Sequence, residues 1–471
     1  MRTKMKIYFI GICGTATGNV AILMKRLGHA VCGSDTGMYE PMKSTLASAG
    51  VDAYEGWNPK KLEAFAPDIT VVGNAISRMN PELEFMLSAG TYRYTSLSAL
   101  IGEHLIGDRK SLVISGTHGK TTTTCLAAYL LRANKIDAGW MMGGVPADLA
   151  EGGSNIGNLT APFVIEGDEY DTAYFDKRSK FLHYRPRILA INNIEFDHAD
   201  IFRDLADVKK TFTHVRRIVS PAGAIIENGD DSNITSLEDT PWTNRIKVGF
   251  DKTCDVVIKD FSQSGDSSSF KLICGGCEKI VEWNLQGEYN ARNAAMAAAG
   301  VSLVSGARLL DIDLSALTLF KGVKRRQEAI LKTDRILAVE DFGHHPTALK
   351  LTIESMRQKY PDRKIYAAFE PRSNTAKMNV FQTAFGEALD MSDAAYIGAA
   401  NTAKTEAARR VDTRAMAMLD PKKLQAFGTN FELLEKICED VKNEKSKVVC
   451  VFFSNGSFDG IHKEFAKRFA K

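Results

Sequence analysis

The residues with the clearest chemistry are Gly116, Thr117, His118, Gly119, Lys120, Thr121 and Thr122. They follow the apolar run "SLVIS" and open the helical pattern "CLAAYLLRAN". A glycine loop between a buried strand and a helix N-terminus offers backbone N–H groups to phosphate oxygens. Lys120 adds a point charge for the β- and γ-phosphates, and the Thr121 hydroxyl can ligate Mg²⁺. The full pattern G-x-x-x-x-G-K-[ST] is not met, because Ile114 stands at its first glycine. The shorter G-x-x-G-K-T remains, and its strand–loop–helix setting outweighs a chance glycine turn. Two further apolar runs end in chemistry: "FVI" meets Glu166, and "ILAINN" leads to His198. Ligands of open α/β sheets bind beyond the carboxyl ends of the strands. If these strands neighbour the loop strand, Thr121, Glu166 and His198 are the expected Mg²⁺ ligands. Oxygen donors suit Mg²⁺; histidine is a less common partner. Taken singly, Glu166 reads equally as a solvated loop acid and His198 as a helix cap.

A second glycine pattern, Gly11, Gly14 and Gly18, follows "KIYFI". It is G-x-x-G-x-x-x-G, not the dinucleotide G-x-G-x-x-G. Asp35 ends the next strand, where an acid can hold a ribose. Alone, this turn points weakly to a nicotinamide-dependent oxidoreductase. The central phosphate loop and its acidic partners argue against that class. A nucleotide-gated binding module would need fewer of these groups. Cys274 and Cys277 form one C-x-x-C without a second pair, which fits a strand-to-strand turn better than zinc. The eight scattered cysteines suit a reducing compartment.

Three α/β blocks must position these residues. Short apolar strands alternate with amphipathic helices, which predicts parallel, doubly wound sheets. The blocks span residues 1–107, 108–320 and 321–471. Within the second, 245–285 reads as antiparallel β, and "NARNAAMAAAGVSLVS" as a closely packed helix. The chain has 471 residues, 44% hydrophobic and 25% charged, enough for about three domains. A formal charge of +3 gives no electrostatic case for nucleic acid or an anionic membrane. Arg2, Lys4 and Lys6 before the apolar run 7–13 mimic a secretory signal. The helix pattern at 20–27 continues past any cleavage point, so a first strand and a cytoplasmic protein are expected.

Together these motifs resemble the Mur ligase family, the ATP-dependent amide-forming enzymes of peptidoglycan synthesis, and the likeness runs nearly end to end. "GTHGKTTT" resembles its phosphate loop, "EGDEYD" its Mg²⁺-binding strand end, and "NNIEFDH" the segment of its metal-binding histidine. "GEYNARNAAMA" resembles the adenine segment, with Asn290 and Asn293 at the matching asparagines. "GVKRRQE" resembles the hinge whose arginine, here Arg326, meets the phosphates. "EDFGHHPTAL" resembles the ribose segment, with Asp341. The resemblance implies an N-terminal Rossmann-like UDP-binding domain, a P-loop ATPase-like central domain and a Rossmann-like C-terminal domain. It implies ATP and Mg²⁺, with Lys120, Glu166, His198 and Arg326 as the catalytic set.

The opening "GICGT" and "GSD" look like the branch that binds UDP-N-acetylmuramate. Gly11, Cys13, Gly14, Thr15, Ser34, Asp35, Asn74, Ala75 and Asn193 are the implied contacts. "EYDTAYFDKRSKF", "EPRSNTAKM" and "SNGSFDGIHKEF" look like members that add the tripeptide L-alanyl-γ-D-glutamyl-meso-diaminopimelate. His345, Arg372, Ser373, Asn374 and Asn455 would meet that peptide. The alternative is the L-alanine-adding sibling. The reaction implied runs through an acyl phosphate attacked by the peptide amine, and His118, His344 and His345 are candidates for positioning or proton transfer. The latter pair precedes Pro346, a favoured first helix residue, so capping competes. Tyr289 replaces the family's usual histidine, and Gly167 a common alanine, a change expected to matter little. No lysine matches the carbamylated lysine of other members. Closure is expected to hinge near Gly107 and Gly322. Lys120→Ala is expected to abolish turnover and spare the fold.

Overall fold

The computed structural model describes residues 4–265, 267–403 and 405–470; Arg2 lies outside them. Three large sheets and one two-stranded sheet, Asp171–Ala173 with Asp176–Ser179, organise the described residues. The first has five parallel strands in the spatial order Asp52–Glu55, Ala30–Asp35, Lys6–Ile10, Ile69–Val72 and Tyr94–Ser96. Strand order reverses at Lys6–Ile10, so the glycine turn after it opens at a switch point. Helix Thr15–Arg26 follows that turn and buries Val20, Leu23 and Met24.

The central sheet has ten strands. Ser111–Ser115 lies between Phe163–Gly167 and Ile188–Ile191, parallel to both. These strands are nearly continuous apolar runs because helices cover both faces. Lys120–Ala133 and Glu288–Ser305, whose alanines permit close packing, cover one face, and Leu205–Arg217 covers the other. The expectation for 245–285 needs a correction at one end. Asn244–Gly249 pairs parallel with Ala224–Asn228 and with Val256–Ser264. Within this stretch the antiparallel pairs are Val256–Ser264 with Ser267–Cys274, and Ser267–Cys274 with the edge strand Cys277–Trp283. Cys274 and Cys277 flank the Gly275-Gly276 turn of that hairpin.

The third sheet has six strands, with Ile336–Asp341, Val448–Phe453, Lys364–Phe369 and Ala394–Ile397 parallel at its centre. The edge strand Glu328–Lys332 is antiparallel and was not evident in the sequence. The first two sheets share a core: Ile101 and Leu105 join Phe163, Phe181 and Leu189 in one apolar cluster. No helix among the described residues is long and apolar enough to cross a membrane.

Candidate active site

The phosphate loop emerges at the point where central strand order reverses. Its helix begins at Lys120, after Gly119 with φ of 79°. A Cβ on Gly119 would lie 2.7 Å from Asn293 Oδ1, so glycine is required by both backbone and space. The end of the neighbouring strand pins the loop. Asn193 Oδ1 accepts from the His118 N–H at 2.7 Å, and Asn193 Nδ2 donates to His118 O at 3.1 Å. The Glu195 N–H donates to Thr117 Oγ1 at 2.9 Å, and Asn192 Nδ2 to Thr123 Oγ1 at 2.8 Å. Asn193 thus braces the phosphate loop.

A cavity of about 530 Å³ opens beside this loop. Its wall brings together Thr117 to Thr122, Glu166, His198, Asn290, Asn293, Arg326, Asp341, His345 and Asn455, drawn from the second and third sheets. Lys120 Nζ donates to Gly116 O at 2.7 Å and to Glu169 Oε2 at 2.9 Å, with Asp168 at 3.9 Å. Burial opposes the Lys120 charge, yet Glu169 and Asp168 outweigh it and hold the ammonium above its ordinary range. Glu166 accepts from the Gly143 N–H at 2.8 Å. Burial, then the charge of Asp168, pushes its carboxyl up. Burial is the larger cause, and a cation beside Thr121 and Glu166 would favour the ionised carboxylate. His198 Nε2 lies 3.5 Å from Glu169 Oε1. Burial works against its protonation, but Glu169 prevails and raises it. Thr121 and Glu166 offer oxygen donors that suit a hard divalent ion, and His198 lines the same cavity.

Arg326 reaches in from the segment linking the sheets. Its Nη2 lies 3.5 Å from Thr121 Oγ1, and its guanidinium covers the Phe342 ring at 4.6 Å. Asp341 accepts from the backbone N–H groups of Gly343 and Gln327 at 2.7 and 2.9 Å. Asn290 Nδ2 donates to Gln286 O at 2.7 Å. Tyr289 is hydrogen-bonded to the Gln327 amide and lines the same cavity. Gly167 does not behave as a neutral exchange for alanine here: a Cβ would lie 2.6 Å from Val113.

Two chemically active histidines take fixed roles. His345 is the N-cap of Pro346–Lys359; its Nδ1 accepts from the Thr347 N–H at 3.3 Å, and its Nε2 lies 3.1 Å from Phe196 O. Both ring nitrogens are occupied, so it braces rather than carries a proton. Burial pushes His344 and His345 down to about 4. His118 Nε2 lies 3.3 Å from Glu195 Oε2.

On the first sheet the glycine turn lies beside the turn at 73–76, where a Cβ on Gly11 would lie 3.2 Å from Ile76, and Asn74 and Ala75 within that turn are exposed. Asp35 accepts from the Cys13 N–H at 2.9 Å and organises that turn. Ser34 is not brought to the mouth. Its hydroxyl turns inward to the buried Glu82, which also accepts from Tyr8 at 2.9 Å and the Asn58 N–H at 2.8 Å. On the third sheet Arg372 lies 3.5 Å from Glu370 and packs over Gly456, beside Asn455. The Asn455 Oδ1 is buried and has no protein partner. Ser373 Oγ accepts from the Ala376 N–H at 3.0 Å, and Asn374 Nδ2 donates to Asp200 at 2.7 Å.

Residues 114–301 match the Mur ligase middle domain, and residues 6–105 the catalytic domain of the Mur ligase family. The UDP-N-acetylmuramate–L-alanyl-γ-D-glutamyl-meso-2,6-diaminoheptandioate ligase of Escherichia coli is 36% identical over 99% of both chains. The ligase of the same name from Haemophilus influenzae is 35% identical over 97% of this chain and 98% of its own. The chain belongs to the Mur ligase family. The crystal structure of a murein peptide ligase from Psychrobacter arcticus superposes with a TM-score of 0.72, at 33% identity and 98% coverage of each chain. In this Mur ligase, sequence reasoning passed over Glu169, Asp168, Asn192 and Glu195. "EGDEYD" held the signal for the first two, but four acids in one short run do not say which faces the lysine.

Proposed function

We propose that the protein joins UDP-N-acetylmuramate to the tripeptide L-alanyl-γ-D-glutamyl-meso-diaminopimelate with ATP, in peptidoglycan recycling. The observation that carries the reading is the convergence of Lys120, Glu166 and Arg326 with Asn455 on one cavity, with Arg372 packed alongside. A carboxylate is a poor acyl donor because oxide would have to leave. In the proposed path the muramoyl carboxylate attacks the γ-phosphorus in line, and ADP leaves. The peptide α-amine then attacks the acyl carbon, and phosphate leaves. Both steps bring anions together, so positioned positive charge dominates. Lys120 and Arg326 supply it from the chain. Thr121, Glu166 and His198 would hold Mg²⁺, which when bound neutralises phosphate charge. Asn290, Asn293 and Asp341 are assigned to the nucleoside, and Tyr289 to its edge. Gly11, Cys13, Gly14, Thr15, Asp35, Asn74 and Ala75 are assigned to the UDP end. Arg372, with a fork suited to a carboxylate, and Asn455, with its open acceptor, are assigned to the peptide.

Residues 1–107, 108–320 and 321–471 are taken as the UDP-sugar, ATP and peptide domains. The nucleotide substrates place the activity in the cytoplasm. The L-alanine-adding alternative shares every group except the peptide loop. The test is phosphate release with ATP, Mg²⁺ and UDP-N-acetylmuramate, offering L-alanine or tripeptide in parallel. Tripeptide-dependent release is expected. Release driven by L-alanine alone would make this the alanine-adding enzyme.

A further inference from the structure

The segment 195–200, which carries His198, is gripped from the third sheet at almost every residue. Thr347 Oγ1 donates to Glu195 Oε2 at 2.6 Å. His345 meets Phe196 O, and Phe381 packs against the rings of both Phe196 and His345. The Ala199 N–H donates to Thr375 Oγ1 at 3.2 Å, and Arg409 Nη2 donates to Ala199 O at 3.0 Å. Asn374 Nδ2 holds Asp200. Both backbone polar groups of Ala199 are thus taken by third-sheet side chains. His198, immediately before it, has φ of 53°, a left-handed conformation that a residue with a Cβ adopts only when its surroundings enforce it.

The gripping residues belong to the loop that would read the peptide. Thr375 follows Arg372, Ser373 and Asn374 in the same turn after strand Lys364–Phe369. Arg409 sits in a neighbouring turn tied to that loop by the Met378–Arg410 bridge and by the Val411 N–H on Lys377 O at 2.9 Å. A shift at Arg372 therefore has a short, hydrogen-bonded route to the peptide plane after His198.

We propose that Thr375 and Arg409 are positioning residues that hold the left-handed turn at His198, so that capturing the peptide and completing the metal site become one event. The proposal rests on the reading of His198 as a metal ligand. It makes metal affinity depend on the peptide, and by linkage peptide affinity depends on the metal to the same factor.

The test uses the full-length protein with a non-hydrolysable ATP analogue and Mn²⁺ as the probe. Mn²⁺ binding is read by electron paramagnetic resonance, with and without tripeptide, and amide hydrogen exchange is read across 196–202. Thr375→Val removes the acceptor for the buried Ala199 N–H, Arg409→Ala removes the donor to its carbonyl, and Thr375→Ser keeps the hydroxyl. In the wild type, tripeptide should tighten Mn²⁺ binding and slow exchange. Thr375→Val and Arg409→Ala should each weaken Mn²⁺ roughly tenfold and lose the tripeptide effect, while Thr375→Ser restores both. Arg409 is exposed, so its variant tests the idea even if Thr375→Val folds poorly. Wild-type Mn²⁺ affinity in both variants, with the tripeptide effect intact, overturns the proposal. If His198→Ala binds Mn²⁺ as the wild type does, the ligand reading is what failed, and with it the metal half of the proposal. The exchange rates then still decide whether the grip exists.

Discussion

Replacing Lys120 by alanine should remove two things at once. The ammonium sits 2.9 Å from Glu169, whose side chain is only 2% exposed, and 3.9 Å from Asp168. As the charge nearest the transferred phosphoryl, its loss should cost about 10²–10³ in turnover. The variant also leaves Glu169 buried with His198 as its remaining partner. Breaking a buried pair by removing one side costs about 3–5 kcal/mol. Part of that returns when the orphaned acid takes up a proton: burial disfavours its charge, and Lys120, with His198, is what holds its carboxyl below the ordinary range. At about 2–4 °C per kcal/mol for a unit of this size, the central transition should fall by on the order of 10 °C. The sequence alone suggests an intact fold; the buried Glu169 changes that expectation. Adding Glu169→Gln to Lys120→Ala removes the stranded charge, so the double variant should regain most of the Tm and none of the turnover. Phosphate release and scanning calorimetry on the nucleotide-free protein measure both. Turnover within tenfold of wild type in Lys120→Ala refutes the phosphate role, and an unmoved Tm refutes the buried pair.

Arg372→Lys keeps the charge and loses the planar fork, so the tripeptide KM should rise roughly tenfold while the ATP KM stays fixed; an unchanged tripeptide KM removes Arg372 from the peptide site. Acid should loosen the contact between the second and third sheets. His345, 6% exposed, is held down to about 4 by burial and then by the charge of His118. A base whose folded pKa lies below its unfolded value gives stability that is complete above about 6.5 and lost as the pH falls toward 4. Burial alone would raise Glu195, but its bonds from His118 and Thr347 hold it at about 2, so its contribution fades below about 4.5. The Tm should be flat near pH 7 and decline below 6.5, and His345→Asn, which preserves the cap, should make the decline between 6.5 and 4 shallower, leaving the share of His344, which burial also holds down to about 4. An equal slope in that variant shows that His345 is not the group responsible.

What could be read from the sequence follows from distance along the chain. Strands such as Ser111–Ser115 and Ile188–Ile191 are buried on both faces, so they appear as unbroken apolar runs whose polar ends are conspicuous. The phosphate loop, Glu166 and His198 stand at such ends. Ser34 and Asp35 carry a legible signal: neighbouring side chains on a strand point to opposite faces, so if the Asp35 carboxylate serves the glycine turn, the Ser34 hydroxyl does not, and Ser34 meets that turn only through its carbonyl. Asn193 had no such signal. Its partner depends on Ile188–Ile191 lying next to Ser111–Ser115, and spatial strand order is not written in local pattern. The strand Asn244–Gly249 misled for a related reason. Its partly exposed alternation looks like an antiparallel strand, yet it pairs parallel on both sides.

The same logic explains why the grip on Ala199 is invisible in one dimension. Thr375 lies 176 positions from Ala199, and Arg409 lies 210 away. Threonine in a loop and arginine in an exposed turn are common surface residues, and neither carries a motif. Their importance comes from meeting the backbone beside a residue already forced into a left-handed turn. A Mur ligase must bring three substrates to one place before phosphoryl transfer is useful. If His198 holds the metal and the Arg372 loop the peptide, as proposed, the two hydrogen bonds to Ala199 would make that assembly conditional on the peptide.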